Sequence, residues 1–111
     1  VSQGGRTVYL SGQTAWDVNK QIVGGNDLGQ QTRQALHNLQ LAVEAAGGSL
    51  ADVVSLRLYI VKPKPGDTGA VGEALREFFP PDRPPASTWI GVTSLAVEDF
   101  LIEIEAIAVI D

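Results

Sequence analysis

The segment from Leu101 to Ile110 constrains the fold more than any other part of the sequence, because its side chains alternate in character with a period of two. One set is wholly aliphatic: Ile102, Ile104, Ala106 and Ala108. The other set mixes carboxylates with large aliphatic side chains: Leu101, Glu103, Glu105, Ile107 and Val109. Successive side chains of a β-strand point to opposite faces of the sheet. The pattern therefore predicts a strand with one face in the core and one mixed face.

Four further segments of the chain have the composition of β-strands. Residues 53–61 alternate in the same way, with an apolar set, Val54, Leu56, Leu58 and Ile60, and a second set, Ser55, Arg57, Tyr59 and Val61. Shorter strands are predicted at residues 7–13, at 21–23 and at 86–92. Gly12 indicates that the first of these ends in a turn.

Two helices are predicted between these strands. Apolar positions at three-and-four spacing indicate helices over residues 28–46 and 67–79, capped by Asp27 and Asp67. The solvent face of the first helix is assigned to Gln30, Arg33, Gln34, His37, Gln40 and Glu44. The order is ββαβαββ, which defines an α+β fold with one mixed sheet and two helices on one face. The other face is too apolar to stay in water, so we expect it to pack on another subunit.

Composition narrows the class of protein. With 111 residues and 44% hydrophobic side chains, residues 1–111 are expected to form a single domain, and because the sequence starts with Val1 we expect preceding residues to be missing from it. The absence of Cys and Met excludes disulfides, thiolate metal sites and a cysteine nucleophile. No apolar run approaches a membrane span and no signal peptide is recognisable, so we expect a soluble cytoplasmic protein with no membrane partner. The net charge of −5 argues against a nucleic-acid partner.

Several motifs, in order along the chain, resemble one known family. They are Val-Tyr-Leu-Ser-Gly-Gln at 8–13, the helix segment 31–39, Ala-Ala-Gly-Gly-Ser-Leu-Ala-Asp-Val-Val at 45–54, Phe78-Phe79, Pro85-Ala86 and Ile-Glu-Ile-Glu-Ala-Ile-Ala at 102–108. Together they resemble the RidA (reactive intermediate deaminase) family, also called YjgF. The resemblance implies a chorismate-mutase-like fold and a homotrimer with small-molecule clefts between subunits. It also implies hydrolysis of reactive enamines and imines, such as 2-aminoacrylate, to keto compounds and ammonia, without metal or cofactor.

The resemblance also implies site residues. Glu103, the first carboxylate of the Glu-Ile-Glu motif, matches the family's catalytic glutamate. The family's arginine, which binds the substrate carboxylate, directly follows a Pro-Ala pair, and here that position is Ser87. The family's asparagine before the Phe-Phe pair is Gly72 here. Ligand-binding roles are therefore assigned to Ser87, Thr88 and Gly72. Arg83 is assigned as a nearby cation that replaces the arginine, with a solvated loop residue as the alternative. A serine offers one neutral donor, so deamination of 2-aminoacrylate is in question.

Alternatives remain open for the residues and for the function. Glu103 has either a site role or a structural role in an ion pair with Arg57, for which Glu105 is the other candidate partner. His37 is interpreted as a solvated residue of a helix surface. A metabolite-binding protein without catalysis, a holdase-like homotrimer and the endoribonuclease activity attributed to the family are the competing functions.

Overall fold

The computed structural model describes residues 5–111, so residues 1–4 of the predicted domain lie outside the described residues. The elements are β1 (Arg6–Gln13), α1 (Leu28–Ala45), a short 3-10 turn (Leu50–Asp52), β2 (Val53–Val61), α2 (Asp67–Phe78), β3 (Ala86–Val92) and β4 (Ile102–Ile110). The strands form one mixed sheet in the order β1-β4-β2-β3. β4 is antiparallel to both of its neighbours, and β2 and β3 are parallel and joined through α2.

The predicted α+β class is confirmed, with two helices packed against one sheet, but one predicted strand is absent among residues 5–111. Residues 21–23 do not form a strand, and a single bridge between Trp16 and Ile22 is all that remains of it. The Asp17 carboxylate shapes the turn before it by accepting hydrogen bonds from the Asn19 N–H at 2.8 Å and the Gln21 N–H at 2.9 Å. The pairing stops after Val23 because Gly24 and Gly25 turn the chain away with positive φ angles of 95° and 52°. The observed order is therefore βαβαββ.

The two faces of the sheet differ as the alternation predicts. In β4 every second side chain from Ile102 to Ile110 is buried under the helices, and the residues between them are half-buried. We call the side of the sheet away from the helices the open face; it carries Tyr9, Arg57, Tyr59, Thr88, Glu103, Glu105, Ile107 and Val109. In β2 the prediction fails at one residue: Val53 is buried and Val54 is only half-buried, because a register shift lies between Val53 and Ser55.

The two helix starts differ from each other. The Asp27 carboxylate accepts the Gln30 N–H at 3.0 Å, so the predicted cap of α1 is confirmed. The predicted cap of α2 is wrong, because the cap residue is Gly66, whose φ of 93° suits glycine. The Asp67 carboxylate instead turns back and accepts hydrogen bonds from the N–H and the ammonium of Lys64. Burial would raise the pKa of Asp67, but these hydrogen bonds outweigh it and hold the pKa below its usual range.

The outer side of α1 is less solvated than predicted. Arg33 forms a 2.7 Å ion pair with Glu77 of α2 and so ties the two helices together. The Gln34 side-chain amide donates to the Trp16 carbonyl at 3.1 Å. Of the six residues assigned to solvent, these two therefore make tertiary contacts. Neither helix of the described chain is long and apolar enough to cross a membrane.

Candidate functional site

Glu103 lies on the open face with its side chain directly over Gly12 of β1. A Cβ atom built on Gly12 would lie 2.7 Å from Glu103 Cδ and would overlap the carboxylate oxygen Oε2. Position 12 therefore has to be glycine for Glu103 to adopt this position. The sequence pattern indicates a turn at Gly12, whereas the structure places Gly12 inside β1, where a register shift between Leu10 and Gln13 marks a bulge.

Glu105, rather than Glu103, is the structural partner of the neighbouring polar side chains. Its Oε1 atom accepts the Tyr59 hydroxyl at 2.7 Å and lies 3.5 Å from Arg57 Nη1. The hydrogen bond to Glu105 raises the pKa of Tyr59, since the neutral phenol is the donor. Glu103 itself has no hydrogen bond or ion pair within residues 5–111. Of the two roles left open by the sequence, pairing with Arg57 therefore falls to Glu105.

Two open depressions flank the part of β1 that carries Gly12. The first, of about 420 Å³, lies on the open face and is lined by Tyr9, Leu10, Ser11, Ser55, Arg57, Glu105, Ala106 and Ile107. The second, of about 440 Å³, is lined by Gly12, Gln13, Thr14, Trp16, Asp17, Val18, Lys20, Asn38 and Leu41. Both have the size of a small-molecule site. Neither includes Glu103, so these depressions of a single chain do not enclose the carboxylate.

Ser87 and Thr88 lie on β3, an edge strand of the sheet. Ser87 is paired with Leu56, a buried residue on the helix side, so Ser87 points to the helix side as well. Its Oγ atom accepts a hydrogen bond from the Trp89 indole N–H at 3.3 Å. Thr88 is paired with Arg57 and points to the open face. Thr88 therefore shares a face with Glu103, and Ser87 lies on the opposite face.

The other two predicted ligand-binding residues are also apart from Glu103. Gly72 belongs to α2, which covers the helix side of the sheet, and a Cβ built there would meet only Arg76 Nη1, at 3.4 Å. Arg83 is exposed in the turn before β3, and its guanidinium has no hydrogen bond or ion pair with the described residues. No hydrogen bond or ion pair of the described residues therefore fixes the Arg83 guanidinium against another predicted site residue.

The remaining ionisable residues do not assemble a second centre in the described part of the chain. His37 is exposed on α1, as predicted for a solvated helix residue. Within residues 5–111, no group of three His, Asp or Glu side chains is arranged to hold a metal ion. Sequence reasoning missed Gly12 as the residue on which the Glu103 side chain lies. The signal for it was the glycine inside an otherwise strand-forming segment.

Comparison with known proteins places this arrangement in one family. Residues 1–110 match the family model described as Endoribonuclease L-PSP. A 2-iminobutanoate/2-iminopropanoate deaminase of Dermatophagoides farinae is 35% identical over 109 residues, which are 98% of this chain and 82% of that protein.

Solved structures agree with this match. YyfB from Yersinia pestis, a protein of unknown function of the Rid family, shares 43% identity and a TM-score of 0.90 over 96% of this chain and 80% of that one. TdcF of E. coli with bound serine shares 30% identity and a TM-score of 0.81 over 100% of this chain and 85% of that one. RidA from a Psychrobacter species shares 30% identity and a TM-score of 0.84 over 98% and 85% of the two chains. The chain belongs to the RidA/YjgF family.

Proposed function

We propose that this protein hydrolyses a small imine or enamine to a carbonyl compound and ammonia, in clefts formed between the chains of a homotrimer. The 2-iminobutanoate/2-iminopropanoate deaminase named above is a relative that supports this reaction class. Glu103 is the proposed catalytic residue, with Ser87, Thr88 and Gly72 as ligand-binding positions.

The position of Ser87 relative to Glu103 is the observation that carries this proposal. In one chain the two side chains lie on opposite faces of the same sheet. A single site can contain both only if Ser87 of one chain meets Glu103 of another. The open face also leaves Ile107 and Val109 half-buried and Tyr9 78% exposed, with no helix of the described chain to cover them. A second chain on this face buries that surface and closes the cleft.

The chemistry needs one group that moves protons, and Glu103 is suited to it because its carboxylate is not engaged by another side chain of residues 5–111. The carboxylate takes a proton from water as the water oxygen bonds to the imine carbon. It passes this proton to nitrogen, which gives a carbinolamine. The carboxylate then takes the remaining hydroxyl proton and delivers it to the same nitrogen as the C–N bond breaks, so that the carbonyl forms and ammonia leaves. One water is consumed for each ammonia released, and no electrons are exchanged.

The proposed substrate-binding residue at position 87 is a neutral serine, whereas the family's pattern has a positively charged arginine there. An arginine holds a carboxylate through two charge-assisted hydrogen bonds, whereas Ser87 offers a single neutral hydroxyl. We therefore expect weak hydrolysis of 2-aminoacrylate generated from serine by a dehydratase. The same feature favours a second candidate function, that of a protein that binds a metabolite in the cleft without converting it.

Ammonia release from a panel of imines generated in situ tests the proposal. We expect turnover of at least one imine, and we expect Glu103→Gln to reduce it by about 10²-fold or more because the amide keeps the shape but accepts no proton. Glu98→Gln, in an exposed loop, is the matched control and should leave the rate unchanged. A rate in Glu103→Gln equal to that of the control would exclude Glu103 as the proton-transfer group.

A gain of function tests the role of position 87. Ser87→Arg should raise the hydrolysis of 2-aminoacrylate, because a guanidinium in a partly dehydrated cleft binds the substrate carboxylate. Adding Glu103→Gln to that variant should remove the gain. If the unmodified protein already hydrolyses 2-aminoacrylate strongly, an arginine is not needed here. If Ser87→Arg folds, assembles and gains nothing, the metabolite-binding function becomes the better proposal.

A further inference from the structure

Trp89 holds the hydroxyl of Ser87 in a defined hydrogen bond. The two residues are two apart on β3 and point to the same side of the sheet, as their partners Leu56 and Leu58 show. The Trp89 ring is half-buried and packs against the core, whereas Ser87 is exposed. The indole N–H donates to Ser87 Oγ at 3.3 Å. The hydrogen bond therefore links an exposed hydroxyl to a side chain that packs on the core.

The direction of this hydrogen bond determines what Ser87 offers to a ligand. An indole N–H is a donor only, so Ser87 Oγ must be the acceptor. The Ser87 hydroxyl is left with its own O–H, which is free to donate to a ligand. Beside it lies the exposed part of an aromatic ring. The pair thus presents one neutral donor next to an apolar surface, and no cation hydrogen-bonds to either residue within residues 5–111.

We propose that Trp89 and Ser87 together are the specificity determinant of the cleft and select a substrate with an uncharged acceptor, an amide oxygen, in place of a carboxylate. This inference rests on the proposed function, because it assigns the ligand of the same cleft. A carboxylate at this position exchanges the hydrogen bonds of water for one neutral donor and an apolar ring, which is unfavourable for a charged group. An amide oxygen requires only the single donor that Ser87 supplies.

Two probes of equal size separate the alternatives. 2-Oxobutanoate and 2-oxobutanamide differ only in a carboxylate against a neutral amide. The sequence contains two tryptophans, Trp16 and Trp89. In the variant Trp16→Phe, tryptophan fluorescence comes from Trp89 and reports on ligands that bind beside Ser87. Phenylalanine retains an aromatic ring against Phe100, which Trp16 contacts edge-on at 4.9 Å. Isothermal titration calorimetry measures the same affinities on the unmodified protein, and also on Trp89→Phe, which has no fluorophore at this position.

We expect the amide to bind about tenfold or more tightly than the carboxylate and to change the Trp89 emission. Ser87→Ala should abolish this preference, and Trp89→Phe, which keeps the ring but removes the N–H, should weaken it. Ser87→Arg should reverse it toward the carboxylate. Ser94→Ala, an exposed serine in the loop after β3, is the matched control and should change nothing.

Equal or tighter binding of 2-oxobutanoate to the unmodified protein overturns the inference, and so does the absence of binding by both probes. These outcomes are distinct from failure of the proposed hydrolysis. Amide binding without ammonia release from any imine contradicts hydrolysis and supports the assigned specificity. Ammonia release from carboxylate-bearing imines, with tight 2-oxobutanoate binding, supports hydrolysis and contradicts the specificity.

Discussion

Replacing Gln31 with leucine should destabilise the protein strongly, because the fully buried amide of this α1 residue hydrogen-bonds both to the loop before α1 and to the chain at the start of β4. Its Nε2 atom donates to the Gly25 carbonyl at 2.7 Å and to the Asp99 carbonyl at 3.0 Å. Its Oε1 atom accepts the Leu101 N–H at 2.9 Å. Helix α1 thereby fixes both the loop that precedes it and the start of β4, two residues before Glu103.

The loss follows from these three contacts. A hydrogen bond between protein groups contributes about 1 kcal/mol net, so the loss of three amounts to about 3 kcal/mol. Leucine is similar in volume and leaves no large cavity, but it leaves two carbonyls and one N–H without their partners. Because the total stability of a small domain is about 5–15 kcal/mol, this is a large fraction of it.

Urea unfolding, followed by circular dichroism at fixed protein concentration, measures the effect. With a slope of roughly 1–3 kcal/mol per molar urea, the midpoint should fall by about 1–3 M. Gln30→Leu makes the same substitution one residue earlier on an exposed side chain and should stay within about 0.5 kcal/mol of the unmodified protein. If the Gln31 variant lost no more stability than the Gln30 variant, the hydrogen-bond reasoning would be refuted.

Three further predictions concern assembly, titration and a surface residue. Light scattering should give the mass of a trimer at micromolar concentration. Val109→Asp, on the open face, should dissociate or unfold this trimer. The control Val18→Asp, at a residue that is 93% exposed, should leave it intact. The Tyr59 phenol, followed by its ultraviolet absorbance, should ionise above the ordinary pKa of about 10, and Glu105→Gln should move the pKa back toward it. The hydrogen bond from Tyr59 to Glu105 stabilises the folded protein at pH values below the ordinary pKa. This stabilisation is lost as the pH rises through the raised pKa of the folded state. His37→Gln should change fold, assembly and ammonia release by less than a few-fold, and a loss above about tenfold would show a role in the cleft.

The parts of the fold that follow from local chemistry could be predicted from the sequence. The alternation in β4 is set by the two-residue period of a strand, so the buried set from Ile102 to Ala108 is confirmed. The cap at Asp27 depends on residues within three positions of it and is also confirmed. Asp67 also precedes a helical apolar pattern, but its carboxylate accepts hydrogen bonds from Lys64, which lies before the helix. Residue preference alone does not tell whether such a carboxylate caps the helix or bonds to the preceding residues.

The parts that depend on long-range pairing could not be predicted in this way. Gly12 lies under Glu103 only because β1 pairs with a strand about ninety residues later, with a bulge in its register. The opposite orientations of Ser87 and Glu103 require the register of two different strand pairs. The identity of the site residues came from the resemblance, and their separation in space came from the structure.

The strand order has a consequence for synthesis of the chain. β4 lies between β1 and β2, yet of the four strands in residues 5–111 it is the last to leave the ribosome. Until then β1 has no neighbour, and only the parallel β2–β3 pair is available to a nascent chain. Non-local pairing of this kind slows folding and exposes apolar strand faces while translation continues. We therefore expect a chain truncated before residue 101 to hold β1 apart from the β2–β3 pair, and to aggregate more readily than residues 1–111.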